Sequence, residues 1–273
     1  MSIDTVGYYY WVFLGFILGR YFLFAGGTFG VVYLLSKLSV GKRFGTPSYR
    51  WRLIRHDIFL SVSSAFLFAL IAALVMVAYQ AGNTRIYSSV GDYGWAYLGF
   101  SFCAILVLQD SYFYATHRLL HHPVLFKYLH KGHHRSRLPT PWTSFAFEPG
   151  EALIHGLFFV GLVFVLPLHF VTLTAAFLVM TLWAIATHLQ FALVTPNSAL
   201  SWLGRGLIGP THHGLHHRRY QSHFGLYFTF WDRLLGTTDH AYLQTPALDS
   251  RRCCDQNCGC RKRSLSGCHP FMA

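Results

Sequence analysis

The stretch IFLSVSSAFLFALIAALVMVAY, residues 58–79, holds 22 residues without one charged side chain. A helix needs about 20 apolar residues to cross the ~30 Å hydrocarbon core of a bilayer, so this stretch predicts a transmembrane helix. The composition of the 273-residue chain agrees, because 53% of it is hydrophobic and only 12% is charged. Soluble domains have roughly 25% charged residues, and the chain is therefore predicted to be a membrane protein.

Apolar runs on both sides of this stretch predict further helices. The first run covers 8–35 and contains Arg20, which either reaches toward an interface or faces the bundle. Another run begins at Trp95 and continues into a histidine-rich stretch. Two later runs, 152–168 and 170–187, meet near Pro167. Because the earlier of these is short, a hairpin that dips into the bilayer and a pair of full crossings both fit it.

The distribution of Lys and Arg predicts the orientation. The 37–55 loop holds six basic residues, whereas the 81–94 loop holds only Arg85. By the positive-inside rule the first loop is cytoplasmic, and the second loop and the N-terminus lie outside. The net charge of +12 then reflects topology and attraction to anionic lipid, not nucleic-acid binding. Residues 1–10 have no basic residue, so no cleaved signal peptide is expected.

Histidines are concentrated in two short stretches. Residues 117–134 and 212–217 hold 10 of the 17 histidines in 24 residues. One pair is spaced i, i+4, which places both side chains on one helix face, and two triplets repeat the pattern H-x-x-H-H. The eight residues are His117, His121, His130, His133, His134, His213, His216 and His217.

This spacing predicts metal binding. Protonated imidazoles crowded together without carboxylates would repel one another, whereas neutral imidazoles converge on a metal ion. Eight ligands exceed one tetrahedral site, so two ions are predicted. Imidazole suits zinc, copper, iron and nickel alike, and the spacing does not choose among them. The H-E-x-x-H motif of zinc metalloproteases is absent from the sequence.

Three segments carry a resemblance to a known family. They are DSYFYATHRLLHH (110–122), HKGHHRSRLPTPWTSFAFEPGEALIHG (130–156) and THHGLHHRRYQSHFGLYFTFWDRLLGT (211–237). They resemble the signatures of the membrane fatty acid hydroxylase/sterol desaturase superfamily over about 105–238, and look most like its sterol C5-desaturase branch. The resemblance implies a di-iron, O2-dependent oxidoreductase that hydroxylates or desaturates a sterol or fatty-acyl-type lipid. Zinc can replace the iron in a purified sample.

The resemblance also implies a ligand set. It assigns the eight histidines above to metal and adds His188, which matches a family histidine at the end of the preceding membrane run. His122 and His212 are neighbours outside this set. Two positions depart from the pattern of the relatives. Glu148 stands where histidine is frequent, and His223 stands where asparagine is common, so the choice between desaturation and hydroxylation stays open.

Two acids are candidate catalytic residues. Asp110 lies seven residues before His117, about two turns along the same helix face, where it could accept a hydrogen bond from a ligand imidazole. Glu148 could bind iron, orient a ligand imidazole, or lie at the surface ahead of Pro149. Residues 231–233 are expected to hold the segment after the third histidine motif in place.

The expected fold class is all-α, a multi-pass transmembrane helical bundle with a cytosolic histidine-rich cap that holds a dimetal site. The predicted regions are 1–104 (membrane), 105–240 (catalytic) and 241–273, a basic tail that holds five of the six cysteines and is expected to be disordered. The expected location is the bacterial inner membrane or the endoplasmic reticulum, with the site on the cytoplasmic side.

The expected partners are a lipid substrate, O2 and a separate electron donor. The sequence has neither a G-x-G-x-x-G nor a C-x-x-C-H motif, so a small redox protein with its reductase is expected to supply the electrons. Two alternatives remain at this point. One is a membrane metal-binding or transport protein without oxidase activity, and the other is a zinc hydrolase.

Overall fold

The computed structural model describes residues 3–37, 50–191 and 205–239. Helices dominate these ranges: α1 (Ile3–Tyr21), α2 (Gly27–Lys37), α3 (Trp51–Gln80), α4 (Gly94–Leu120), α5 (Pro123–Leu129), α6 (Pro149–Val165), α7 (Phe170–Thr187), α8 (Pro210–Arg219) and α9 (Phe230–Leu234). Short 3-10 turns lie at Val90–Asp92, His133–Arg135 and Pro141–Phe145. Strands β1 (Ile86–Tyr87) and β2 (Leu168–His169) form one parallel pair.

Four helical stretches are long and apolar enough to cross a membrane: Ile3–Lys37, α3, α4 and α7. Large apolar side chains point outward from them, as at Trp11, Phe16 and Phe59, which are 67%, 75% and 68% exposed. In water such surfaces would be unstable, whereas lipid solvates them. The prediction of an integral, all-helical membrane bundle is therefore confirmed.

A π-helical turn, Phe22–Gly26, joins α1 to α2. Such turns mark places where a helix accommodates a close neighbour. Here the neighbour is Trp142, whose ring would lie 2.9 Å from a Cβ added at Gly26 and whose carbonyl accepts a hydrogen bond from the Tyr21 hydroxyl (2.9 Å). Arg20 faces the bundle, with its guanidinium carbon 5.9 Å from the ring of Phe145. The first helical stretch therefore packs against the turn at 141–145.

The α6–α7 hairpin passes the whole length of the bundle. At its far end the Arg85 N–H donates to the Val163 carbonyl (2.8 Å), and β1 pairs with β2 in register Ile86 to Leu168. The 17 residues of α6 are about 26 Å long. Of the two alternatives left open by the sequence, this geometry favours a pair of crossings, because the hairpin reaches the 81–94 loop.

The bundle has two distinct ends. The N-terminal part of α1 lies near the 81–94 loop, where the Tyr9 hydroxyl accepts a 2.5 Å hydrogen bond from Gln80 Nε2. The opposite end carries the start of α3 and the helices α5, α8 and α9, which form a cap. Helix α4 continues from the bundle into this cap, so the predicted region boundary at 104/105 falls inside one helix. The predicted tail, 241–273, lies outside the described residues.

Candidate metal centre

The histidines reach the cap from four short segments. His117 is in the last turn of α4 and His121 follows that helix as its C-cap. The first H-x-x-H-H motif follows α5, and the second lies within α8, which begins at Pro210. Proline is favoured at the first position of a helix because its missing N–H has no partner there. His188 is the C-cap residue of α7.

The nine predicted ligands form two groups, and all nine belong to one or the other. In each group, one ligand atom per residue lies within 4.8 Å of the others. The five-histidine group consists of His117, His121, His130, His134 and His216. The four-histidine group consists of His133, His188, His213 and His217.

The five-histidine group presents nitrogen lone pairs to a common point. His117 Nδ1 and His216 Nδ1 lie 3.0 and 2.7 Å from two backbone carbonyls, so each Nδ1 is assigned the proton and each Nε2 a lone pair. These two Nε2 atoms lie 3.1 Å from Nε2 of His130 and of His134, respectively, and the latter two are also 3.1 Å apart. A cation among the four Nε2 atoms accounts for this crowding. Two nitrogen atoms that each bind one metal ion at about 2.1 Å, with a right angle between the two bonds, lie about 3.0 Å from each other. The observed Nε2–Nε2 distances match this value.

The four-histidine group repeats this pattern with neutral partners. His188 Nδ1 lies 2.6 Å from the Ala184 carbonyl, and His217 Nδ1 lies 3.1 Å from the Ser136 carbonyl. Their Nε2 atoms therefore carry lone pairs, and both face His213 Nε2, at 3.1 and 3.0 Å. The donor set of each group thus fits a metal ion that prefers imidazole nitrogen.

Burial keeps these imidazoles neutral. It lowers the pKa of His121 and His130 to about 3, and that of His188 to about 4. It lowers the pKa of His213 and His217 well below the usual value, and neighbouring imidazoles lower both further. The neutral form is the one that binds metal, so the cap holds its ligands in the required state at pH 7.

The segment 222–228 supports the five-histidine group from outside. Its carbonyls at Ser222 and Phe224 accept from His216 Nδ1 (2.7 Å) and His117 Nδ1 (3.0 Å). Asp110 Oδ1 in turn accepts the backbone N–H groups of residues 226–228, at 2.6–3.2 Å. Asp110 therefore anchors the segment and does not accept from a ligand imidazole, which was the contact suggested by the sequence.

Asp232 anchors the same segment from α9. It is fully buried, and its carboxylate accepts the N–H groups of Phe224 (2.8 Å) and Gly225 (3.0 Å). A Cβ added at Gly225 would lie 2.6 Å from the carbonyl oxygen of Phe228, so no larger residue fits this tight turn. The expectation that residues 231–233 hold this segment in place is confirmed for Asp232.

The acid that lies against a predicted ligand histidine is Glu151, not Glu148. Glu148 precedes α6 as its N-cap residue and turns outward, where Oε1 accepts the Gly132 N–H (2.8 Å). Glu151 lies one turn later on the inner face and is 1% exposed. Sequence reasoning missed Glu151, although a second acid three residues after Glu148, in the first turn after Pro149, was visible in the sequence.

Asp57 was also missed by the sequence analysis. It is buried in α3 and accepts hydrogen bonds from the hydroxyls of Ser136 (2.8 Å) and Thr143 (2.7 Å). Ser136 in turn offers its carbonyl to His217, so Asp57 supports the four-histidine group through one intermediate residue. Its position at the start of an apolar helix was the signal, since a buried acid there needs partners.

The remaining histidines of the two stretches lie outside both groups. His122 is exposed. His212 is buried, but its Nδ1 accepts the Gly209 N–H (3.2 Å), and its ring lies 5.1 Å from that of His223. Residue 223 has a positive φ of 59°, which the backbone of this turn requires. Neither His122 nor His212 is therefore placed to join the nine.

Fold and site together define a helical membrane protein whose histidine motifs converge on a site that could hold two metal ions. The fatty acid hydroxylase family matches residues 102–237. The chain belongs to the fatty acid hydroxylase/sterol desaturase superfamily, and its curated relatives place it with the sterol desaturase branch. The resemblance drawn from the three sequence segments is thus confirmed.

The relatives are lipid-oxidising enzymes by name. The chain is 30% identical to the Delta(7)-sterol 5(6)-desaturase of Gibberella zeae, over 68% of this chain and 57% of that protein. It is 30% identical to the lathosterol oxidase of Rattus norvegicus, over 71% of this chain and 64% of that protein. The matches therefore cover 57–64% of the length of these relatives. No solved structure matches the chain significantly.

Proposed function

We propose that this chain is a membrane-bound di-iron oxidoreductase that uses O2 to desaturate or hydroxylate a sterol-type lipid. The observation that carries the proposal is the convergence of nine neutral imidazoles, eight of them buried, in two groups at one end of an apolar helical bundle. The names of the relatives favour a ring lipid over an acyl chain and desaturation over hydroxylation.

The nine histidines are the proposed ligands, five for one ion and four for the other. When bound, two iron ions supply the reductive activation of O2 and the removal of hydrogen from an unactivated lipid C–H bond. The chain itself holds the imidazoles neutral, fixes the Nδ1 protons of His117 and His216 on backbone carbonyls, and places Glu151 beside His130. Orientation of this kind is what outer partners give to metal ligands.

Asp110 and Glu148 are proposed to assist from outside the ligand set. Asp110 acts through segment 222–228, and Glu148 acts through Gly132, which precedes the ligand pair at 133 and 134. The electrons are proposed to come from a separate small redox protein with its reductase, as the sequence motifs suggested.

A metal transporter is the alternative from the sequence, and the geometry argues against it. A transport path needs ionisable groups along the membrane-spanning segments. In the described ranges, both candidate metal groups instead lie together in the cap. The enzyme interpretation is therefore preferred.

We propose that the histidine end faces the cytoplasm. The support is the excess of basic residues in the 37–55 sequence, whose described residues Lys37, Arg52 and Arg55 lie at the end of α2 and the start of α3, together with the positive-inside rule. In a background without native cysteines, an impermeant thiol reagent applied from outside should label a cysteine at Asn83 and miss one at Arg43. The reverse pattern would overturn the orientation.

Lipid profiling tests the proposed reaction. Cells that express the chain are compared by mass spectrometry with cells that express the His134→Ala variant at the same protein level. Loss of two hydrogens from a sterol supports desaturation, and gain of one oxygen supports hydroxylation. Identical lipid profiles, in a host that supplies sterols and a functional electron donor, would contradict the proposal.

A further inference from the structure

One buried carboxylate distinguishes the two histidine groups. Glu151 Oε1 lies 2.8 Å from His130 Nδ1 and 3.6 Å from His155 Nε2. Throughout ranges 3–37, 50–191 and 205–239, no other Asp or Glu oxygen lies within 4 Å of a ring nitrogen of the nine imidazoles. The five-histidine group therefore has an acid against one ligand nitrogen, and the four-histidine group has none.

The cost of burying this carboxylate points to its role. A carboxylate that is 1% exposed loses its hydration, which is strongly unfavourable without a compensating positive charge. Neutral imidazoles supply little of that charge. A divalent ion held by His130 would supply it, because the ion would lie on the far side of a ring whose Nδ1 is 2.8 Å from Glu151 Oε1. The site therefore suits a carboxylate–imidazole–metal arrangement.

Local structure places Glu151 for this purpose. Pro149 starts α6, and Glu151 lies in its first turn, with His155 one turn further on the same face. The ring of His155 stacks on Phe113 at a centroid distance of 5.2 Å, which confines it beside the carboxylate. The carboxylate is thus held between a ligand of the five-histidine group and a second, packed imidazole.

We propose that Glu151 is a positioning residue for the five-histidine group alone. Its carboxyl group lies 2.8 Å from His130 Nδ1 and adds negative charge beside the ion of the five-histidine group but not beside the other ion. The inference rests on the proposed dimetal function. The two groups then differ in metal affinity, and the five-histidine group binds its ion more tightly than its five imidazoles would without Glu151.

Metal titration of the full-length, detergent-purified protein tests this inference. The metal-free chain is titrated with Zn2+ against a competing chelator, and with Fe2+ under anaerobic conditions. The two sites are separated by measuring Glu151→Gln in two backgrounds. His188→Ala leaves the five-histidine group complete, and His117→Ala leaves the four-histidine group complete.

In the His188→Ala background, Glu151→Gln should lower the affinity for the remaining ion about 10–100-fold, as the loss of a residue that supports a metal ligand does. In the His117→Ala background, Glu151→Gln should leave the affinity for the remaining ion unchanged. Asp57→Asn is the matched control, because Asp57 is equally buried yet contacts two hydroxyls and His56, which is not one of the nine histidines. Asp57→Asn should not lower the affinity of the five-histidine group for its ion.

Equal affinity with and without Glu151→Gln in the His188→Ala background would overturn the inference while leaving the dimetal function intact. A wild-type chain that binds no metal would instead overturn the proposed function. If Glu151→Gln is not recovered as folded protein, Glu151→Asp takes its place. The Asp side chain keeps the charge but is one methylene shorter, so its carboxylate lies further from His130. Unchanged affinity of the five-histidine group for its ion would again overturn the inference.

Discussion

The five-histidine group and the four-histidine group are built from the same H-x-x-H-H repeats, but the repeats contribute to them in opposite proportions. The first repeat gives His130 and His134 to the five-histidine group and His133 to the other. The second gives His213 and His217 to the four-histidine group and His216 to the other. Neither group is complete without both repeats, so each candidate site requires the two repeats to pack together.

The two groups also differ in their supporting residues. Behind the five-histidine group lie Glu151 and segment 222–228, which Asp110 and Asp232 anchor. Among the described residues, neutral carbonyls and the Thr187 hydroxyl lie behind the four-histidine group, with Asp57 one residue further away. The comparison shows that identical ligand motifs acquire different electrostatic surroundings from the helices that pack behind them.

The largest effect is expected from removing one ligand of either group. His134→Ala and His217→Ala should each lower turnover of the identified lipid at least about 100-fold, because a lost ligand removes metal or redox competence. His122→Ala and His269→Ala serve as controls and should retain near-normal turnover at matched protein level. His122 is exposed, and His269 lies outside the described residues. Near-normal turnover of His217→Ala alone would mean that only the five-histidine group is catalytic.

A substantial effect is also expected from acid. The pKa of His121 and His130 is about 3 in the fold and that of His188 about 4, whereas unfolded histidine has a pKa near 6.5. The unfolded chain therefore binds more protons between these values, and the metal-free protein should lose stability as pH falls from about 6.5 toward 4. The slope is about 1.4 kcal/mol per pH unit for each such group.

Thermal unfolding of the metal-free protein in detergent, followed at several pH values, measures this loss. A metal-loaded sample should unfold at higher temperature at pH 7 and lose that advantage as protons displace the ion. Stability that rises on acidification from pH 6.5 to 5 would contradict the neutral assignment of the buried imidazoles.

A smaller effect, confined to one side of the comparison, is expected for Asp110→Ala. The change leaves three backbone N–H groups of segment 222–228 without their acceptor, at a cost of roughly 2–4 kcal/mol in unfolding free energy. Because Ser222 and Phe224 support the five-histidine group, the affinity of that group for its ion should also fall. Asp92→Ala, at the exposed far end, should change stability by less than about 0.5 kcal/mol. An equal loss of metal affinity in both groups would show that segment 222–228 does not support the five-histidine group alone.

Sequence reasoning reached the bundle and eight of the histidines because both leave local signals, whereas His188 came only from the family resemblance. Apolar runs are long, and the spacing of His117 from His121 is that of one helix face. It did not divide the histidines between two groups, since that depends on how α4, α7 and α8 pack. It chose Glu148 over Glu151 because only the direction of α6 decides which acid turns inward. Asp57 was missed because its partners, Ser136 and Thr143, are about 80 residues away along the chain.

The metal content of the purified chain tests the central claim most directly. Elemental analysis after iron-replete expression should give two ions per wild-type chain and one ion in each of His117→Ala and His188→Ala. Those two variants remove ligands from different groups, so each should retain the ion of the other group. A single ion in the wild-type chain, kept by one variant and lost by the other, would contradict the claim that both histidine groups bind metal.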